Sequence, residues 1–263
     1  MKVLKTSVLF AALILLVSCT QTQTKGGYIV VWEENFEDST KLKNNWSKIP
    51  QGKSDWSNYM SEYDGLFEVT NGNLILRGVK NTVLPDDVTP YLTGGVYTKD
   101  KRTFSNGRLE IRAKLFGARS TLPALWMLPV GDKWPLGGEI DIMQRLNKDG
   151  YVYQTVHSDY TVNQDIKDNP KSAVVVHIKP DNYNVYAVEL FTDSVKFFIN
   201  DMHTFTYPRI ETERSGQFPF GDREYYLLLN MQLGGDWAGP VNEQDLPAEM
   251  HIDWVRFLQK KEK

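Results

Sequence analysis

Glu139-Ile140-Asp141-Ile142-Met143-Gln144 places two carboxylates and an amide within one short stretch, and these residue types at this spacing suit the cleavage of glycosidic bonds. Such cleavage needs one carboxylate to attack the anomeric carbon and one carboxylic acid to protonate the leaving oxygen. In a regular strand Glu139 and Asp141 share a face, whereas residue 144 points the other way. One extra residue inserted as a β-bulge, most simply at Met143, returns residue 144 to that face. The outer two groups then stand roughly 5 Å apart, the separation that a retaining mechanism uses between nucleophile and acid/base. Residue 144 is a glutamine. Its amide keeps the volume of a glutamate and can hydrogen-bond, but it has no proton acidic enough to give. The expected consequence is a site that binds and scarcely turns over.

The elements that must carry these groups are strands. From residue 108 to 115, Leu109, Ile111, Ala113 and Leu115 fall on one face and Arg108, Glu110, Arg112 and Lys114 on the other, a strict period of two that predicts one wet side. Asn71-Gly72 before an apolar run, and Asn200-Asp201 after another, predict two tight hairpins. No long stretch has helical period, and no internal repeat or second compositional zone divides the chain. The pattern predicts an all-β fold of two stacked antiparallel sheets, with the loops 80–91 and 163–171 as cleft rims. At 263 residues such a sandwich forms one domain. A net charge of −3 offers no electrostatic reason to bind nucleic acid. Seven Trp, thirteen Tyr and twelve Phe supply flat apolar faces, most of them for the core and the rest for stacking on sugar rings.

The Glu-x-Asp-x-x-(Glu) pattern resembles the signature of glycoside hydrolase family 16, the laminarinase-like enzymes with a bulged catalytic strand. The resemblance extends through Tyr97-Thr98-Lys99, Gly107-Arg108-Leu109-Glu110, Pro123-Ala124-Leu125-Trp126, Thr155-Val156-His157, Leu229-Asn230-Met231-Gln232 and Ile252-Asp253-Trp254, in the family's order. It implies a jelly-roll sandwich with an open substrate cleft on its concave sheet, cutting inside chains. By the same resemblance Glu139 is the nucleophile, Asp141 the assisting carboxylate and Gln144 the position of the acid/base. His157 lies where the family places a histidine close to the acid/base. Asn58 and Asn230 resemble amides that grip sugar hydroxyls, and Trp126, Trp134 and Trp237 are the sugar platforms. Trp32, Trp46, Trp56 and Trp254 are assigned to packing. His177, His203 and His251 sit in separate segments without ligand spacing, so no catalytic metal is expected. A structural calcium, which some relatives carry near the chain ends, would have Asp253 as its candidate ligand.

One departure bears on substrate. The family's β-1,3-glucanases show Trp-Pro-Ala-x-Trp, whereas this chain has Leu122-Pro123-Ala124-Leu125-Trp126. Together with Ser54-Asp55-Trp56-Ser57-Asn58, Trp134-Pro135-Leu136-Gly137-Gly138 and Tyr153-Gln154-Thr155, this most resembles the gut bacterial enzymes that cut inside mucin O-glycans, at the galactose of poly-N-acetyllactosamine. Glucans with β-1,3 or mixed linkages come next, and algal galactans last. Two accounts of the glutamine stand open: a Glu-to-Gln change made to trap substrate, and a natural relative turned carbohydrate-binding protein.

At the amino terminus a basic start precedes an apolar run at residues 8–17, too short to span a membrane comfortably, and Leu16-Val17-Ser18-Cys19 ends it like a lipobox. Residues 1–18 are therefore expected to be a lipoprotein signal peptide and 19–27 a lipidated Cys19 with a polar tether. The single catalytic domain is then 28–263. The lone cysteine of the chain cannot form an internal disulfide, which favours lipidation. The expectation is a monomer anchored by lipid in a Gram-negative envelope, with oligosaccharide or polysaccharide as its partner.

Overall fold

The computed structural model describes residues 24–261. Cys19 and the signal segment lie outside them. The described chain is two stacked antiparallel sheets, one of ten strands and one of seven, which is the expected jelly-roll sandwich. The seven-stranded sheet runs, by position, Ala173–His177, Tyr151–His157, Glu139–Gln144, Ala124–Pro129, Tyr225–Asn230, Gly95–Tyr97 and Ser47–Lys48. The acid-bearing strand thus lies third from one edge. The ten-stranded sheet begins earlier than expected: Thr24 and Lys25 pair with Ile29 and Tyr28 around Gly26-Gly27, so the polar tether gives way to sheet at Thr24.

Period two explains the core. Leu109, Ile111, Ala113 and Leu115 all point between the sheets and are buried against Met127, Ile140 and Val156 from the other layer. The opposite face of that strand is drier than expected. Arg108 and Glu110 are both buried, and Arg108 donates to Glu110 at 2.7 Å, to Glu189 at 3.1 Å and to Asp201 at 3.1 Å. A central strand is covered by its neighbours' side chains on both faces, and charge is tolerated there because it is paired. Both hairpins form as expected. Asn71 and Gly72 have φ of 50° and 68°, Asn200 and Asp201 of 50° and 67°, the left-handed pairs of tight two-residue turns.

Two further devices fix the catalytic strand. Gly138, immediately before it, has φ of 84°, and a Cβ there would meet Phe220 at 2.5 Å. Arg145, immediately after it, is buried and donates to the carbonyls of Leu115 at 2.6 Å and Asp149 at 2.8 Å, tying the strand end to the neighbouring loop and to the other sheet.

Candidate active site

The bulge is present, and it spans Ile142 and Met143. Against the strand Ala124–Pro129 the register passes from Asp141↔Trp126 to Met143↔Leu125. Against Tyr151–His157 it passes from Asp141↔Thr155 to Gln144↔Tyr153. Relative to the first neighbour the surplus residue is Ile142, one place earlier than expected. Ile142 and Met143 both join the core, while Glu139, Asp141 and Gln144 line one cleft. The bulge has its own support. Gln154, fully buried, donates to the carbonyl of Ile142 at 3.0 Å and accepts from the Thr204 hydroxyl of the other sheet. That amide satisfies a backbone group that the irregular ladder would leave stranded.

The cleft holds about 390 Å³ and lies on the side of the catalytic strand that faces Ala124–Pro129. Trp126 forms its floor, its indole N–H bonded to Asn230 Oδ1 at 2.7 Å, which leaves the Asn230 amide N–H groups to face a ligand. Trp134 stands exposed at the lip, close to Glu139, and lines the cleft with it. Trp56 also lines the cleft, edge-on to Trp126 with centroids 4.9 Å apart. It packs, as expected, on the small apolar cluster of Ile49, Met60 and Trp126, and adds a cleft-facing surface that was not expected; it sits on a loop, where no periodicity tells which way a side chain faces. Leu122, whose departure from tryptophan bears on substrate, lines the wall with Ala124 and Leu128, and Ser54 and Gln232, not singled out as site residues, complete it. Two expected contacts shift. Asn58 is not among the residues lining the enclosed cleft, and its backbone carbonyl accepts from Gln51. Trp237 lies outside the enclosed cleft and packs on Tyr153. Of the expected rims, residues 80–91 contribute nothing to the lining, whereas Lys167 of the other loop is near enough to act electrostatically on His157.

The electrostatics centre on three groups. His157 sits across the ladder from Glu139, whereas residue 144 has Tyr153 as its partner, and this places the His157 ring beside Glu139 and Asp141. Its Nε2 is 3.1 Å from Asp141 Oδ2 and 3.9 Å from Glu139 Oε1. Asp141 is fully buried and neither oxygen receives a donor in good hydrogen-bond geometry; the imidazole compensates it as an ion pair. Burial, then the charge of Asp141, push the Glu139 carboxyl up to about 8, and the charge of His157 and the neighbouring Trp134 oppose that rise only in part. Burial alone would lower His157, but the close contact and charge of Asp141, followed by the charge of Glu139, lift it to about 9. These three residues bring ligand-type atoms within 4.8 Å of one another, a grouping not expected from the spacing of the other histidines. Asp253, the candidate calcium ligand, is engaged instead in an ion pair with Arg112.

Both shifts have the same sign for stability. A folded state that holds protons the unfolded chain would release loses stability as pH rises. The contribution of His157 is fully present below its ordinary 6.5 and disappears as pH passes about 9. The thermal midpoint should therefore fall between those values, and fall less in His157→Asn; equal pH slopes for the two proteins would contradict the coupling.

Comparison with known proteins agrees with this geometry. Residues 55–189 match the family model described as XgeA-like, catalytic GH16 domain. The chain is 31% identical to a keratan-sulfate endo-1,4-beta-galactosidase of Sphingobacterium multivorum, over 88% of this chain and 55% of that protein, and so spans about half of that relative. It is 28% identical to a beta-glucanase of Rhodothermus marinus, over 88% of this chain and 85% of that protein. A solved structure concerning endo-acting O-glycanases, with which prominent members of the human gut microbiota initiate mucin breakdown, superposes with a TM-score of 0.76 at 29% identity, covering 88% of this chain and 100% of that one. Bulged strand, paired carboxylates, cleft and sandwich together have one explanation: the chain belongs to glycoside hydrolase family 16.

Proposed function

We propose that this chain is the catalytic domain of an endo-acting, retaining β-glycosidase for mucin-type O-glycans of the poly-N-acetyllactosamine kind, held by Gln144 in a form that binds its glycan and scarcely cleaves it. The observation that carries the reading is the bulge, which brings Glu139, Asp141 and residue 144 onto one wall of an open cleft. Glu139 would attack the anomeric carbon, with Asp141 and His157 balancing its charge. A glutamate at 144 would protonate the leaving oxygen and then activate water. The substrate class draws support from the relative that is a keratan-sulfate endo-β-galactosidase and from the gut O-glycanase structure. Leu122 in the cleft wall, where the family's glucanases carry a tryptophan, supports it further.

The Rhodothermus β-glucanase relative favours a second reading, a β-1,3- or mixed-linkage glucanase, with Trp56 beside Trp126 as the compensating aromatic surface. Gln144 itself favours a third, a carbohydrate-binding protein without turnover. A panel decides among them. Gln144→Glu protein is incubated in parallel with N-acetyllactosamine-rich mucin glycans, laminarin, mixed-linkage glucan and agarose. Short oligosaccharides should appear from the mucin glycans and not from laminarin; a preference for laminarin would overturn the galactoside reading.

The lipobox-like Leu16 to Cys19 supports a lipid anchor in a Gram-negative envelope. Mass spectrometry of the native amino terminus should find acylated Cys19 first. An unmodified terminus that begins elsewhere removes the anchor and leaves the enzymology as it stands.

A further inference from the structure

The enclosed cleft occupies one side of the catalytic strand; the other side is open. There the strand borders Tyr151–His157 and then Ala173–His177 at the sheet edge. Side chains alternate, so Tyr151, Tyr153 and Thr155 share the face of His157, which reaches toward Glu139 and Asp141. The intervening Val152, Gln154 and Val156 are buried in the opposite direction. On the open face runs an unbroken series of rings. Centroids of Trp237 and Tyr153 are 4.7 Å apart, those of Tyr153 and Tyr151 5.8 Å, and those of Tyr151 and His177 6.1 Å. Trp237 is 45% exposed, and Val175, across the ladder from Tyr153, is 54% exposed. Apolar surface gathered in one strip beside a cleft marks a place where something binds.

Continuity with the cleft names the occupant. An enzyme that cuts inside a chain has sugars on both sides of the scissile bond, and only one side is taken by the enclosed cleft. The strip begins at Tyr153, directly across from residue 144, where a glutamate would protonate the leaving oxygen. Resting on the function proposed above, we propose that Trp237, Tyr153, Tyr151 and His177 form an extended binding strip for the sugars on the leaving-group side of the cleavage point. Sugar rings present apolar C–H faces that the exposed Trp237 and His177 and the half-buried Tyr151 and Tyr153 can cover. The strip turns along Tyr151–His157 toward the start of that strand, so it suits a long glycan and has nothing to offer a short one.

The Gln144 chain allows a clean test, because it should hold oligosaccharides without consuming them. Dissociation constants are measured by calorimetry for poly-N-acetyllactosamine and laminari-oligosaccharides of increasing length. Affinity should go on rising with length after the enclosed cleft is filled. Trp237→Ala, and separately the pair Tyr151→Ala with His177→Ala, should each weaken long oligosaccharides by about tenfold and leave short ones unchanged. Tyr151→Phe, which keeps the ring, should bind long chains as the parent does, separating loss of stacking from loss of fold. Affinity independent of length, or equal losses on short and long chains, overturns the strip alone. Length-dependent binding confined to the laminari series keeps the strip and corrects the substrate. Binding of neither series, at any length, overturns both.

Discussion

Replacing Gln144 by glutamate should raise turnover by roughly 10²–10⁴-fold, the worth of general acid–base help, and leave oligosaccharide affinity almost unchanged. The reasoning is local. Residue 144 already lines the cleft beside Glu139 and Asp141, so the substitution adds a proton without moving a wall. Amide and acid have nearly the same volume, and the fold on both sides of the position is anchored by Gly138 and Arg145. Initial rates and calorimetric dissociation constants on the same glycan check both halves. A gain in rate accompanied by a large change in affinity would mean that Gln144 distorts the cleft. No gain on any polymer would hand the lead to the binding-protein reading.

Removing Glu139 from that restored enzyme should have the larger effect still. In the Gln144→Glu background, Glu139→Ala is expected to cost on the order of 10⁶-fold in turnover, the scale reached when a covalent nucleophile is deleted. Azide should then recover part of the rate: it enters the space vacated by the carboxylate, and the glutamate at 144 still protonates the leaving oxygen. The product would be the α-glycosyl azide, since one displacement at the anomeric carbon inverts it. With Glu139 present, proton NMR of fresh product should show the β-anomer first, because two displacements restore configuration. First release of the α-anomer would rule out the nucleophilic role, as would a Glu139→Ala protein that azide cannot rescue.

Much of this was legible in the chain. Period two over residues 108–115 and the Asn-Gly and Asn-Asp turns became strands and hairpins, because alternation and left-handed turn residues are properties of the backbone itself. The catalytic wall was legible because its members lie on one strand, where a spacing can be converted to a face. What escaped was set by neighbours distant in sequence. Arg108 and Glu110 looked wet because a period assigns faces and says nothing of what covers them. Trp56, on a loop, turned out to line the cleft as well as to pack, because loops have no period from which to read a face. Gln154 gave no signal at all, since its task exists only once the Ile142 carbonyl has been displaced.

The bulge also sets a limit on how this sheet can go wrong. Before it, odd positions face the cleft and even ones the core; after it the parity is reversed, with Ile142 and Met143 both inward at the seam. Were either neighbouring strand to slide by one residue, no single shift could keep both halves of this strand in phase, and apolar side chains would be driven into water. The parity break therefore acts as an alignment mark in assembly, so that the same pair of residues shapes the cleft wall and guards the register of the sheet.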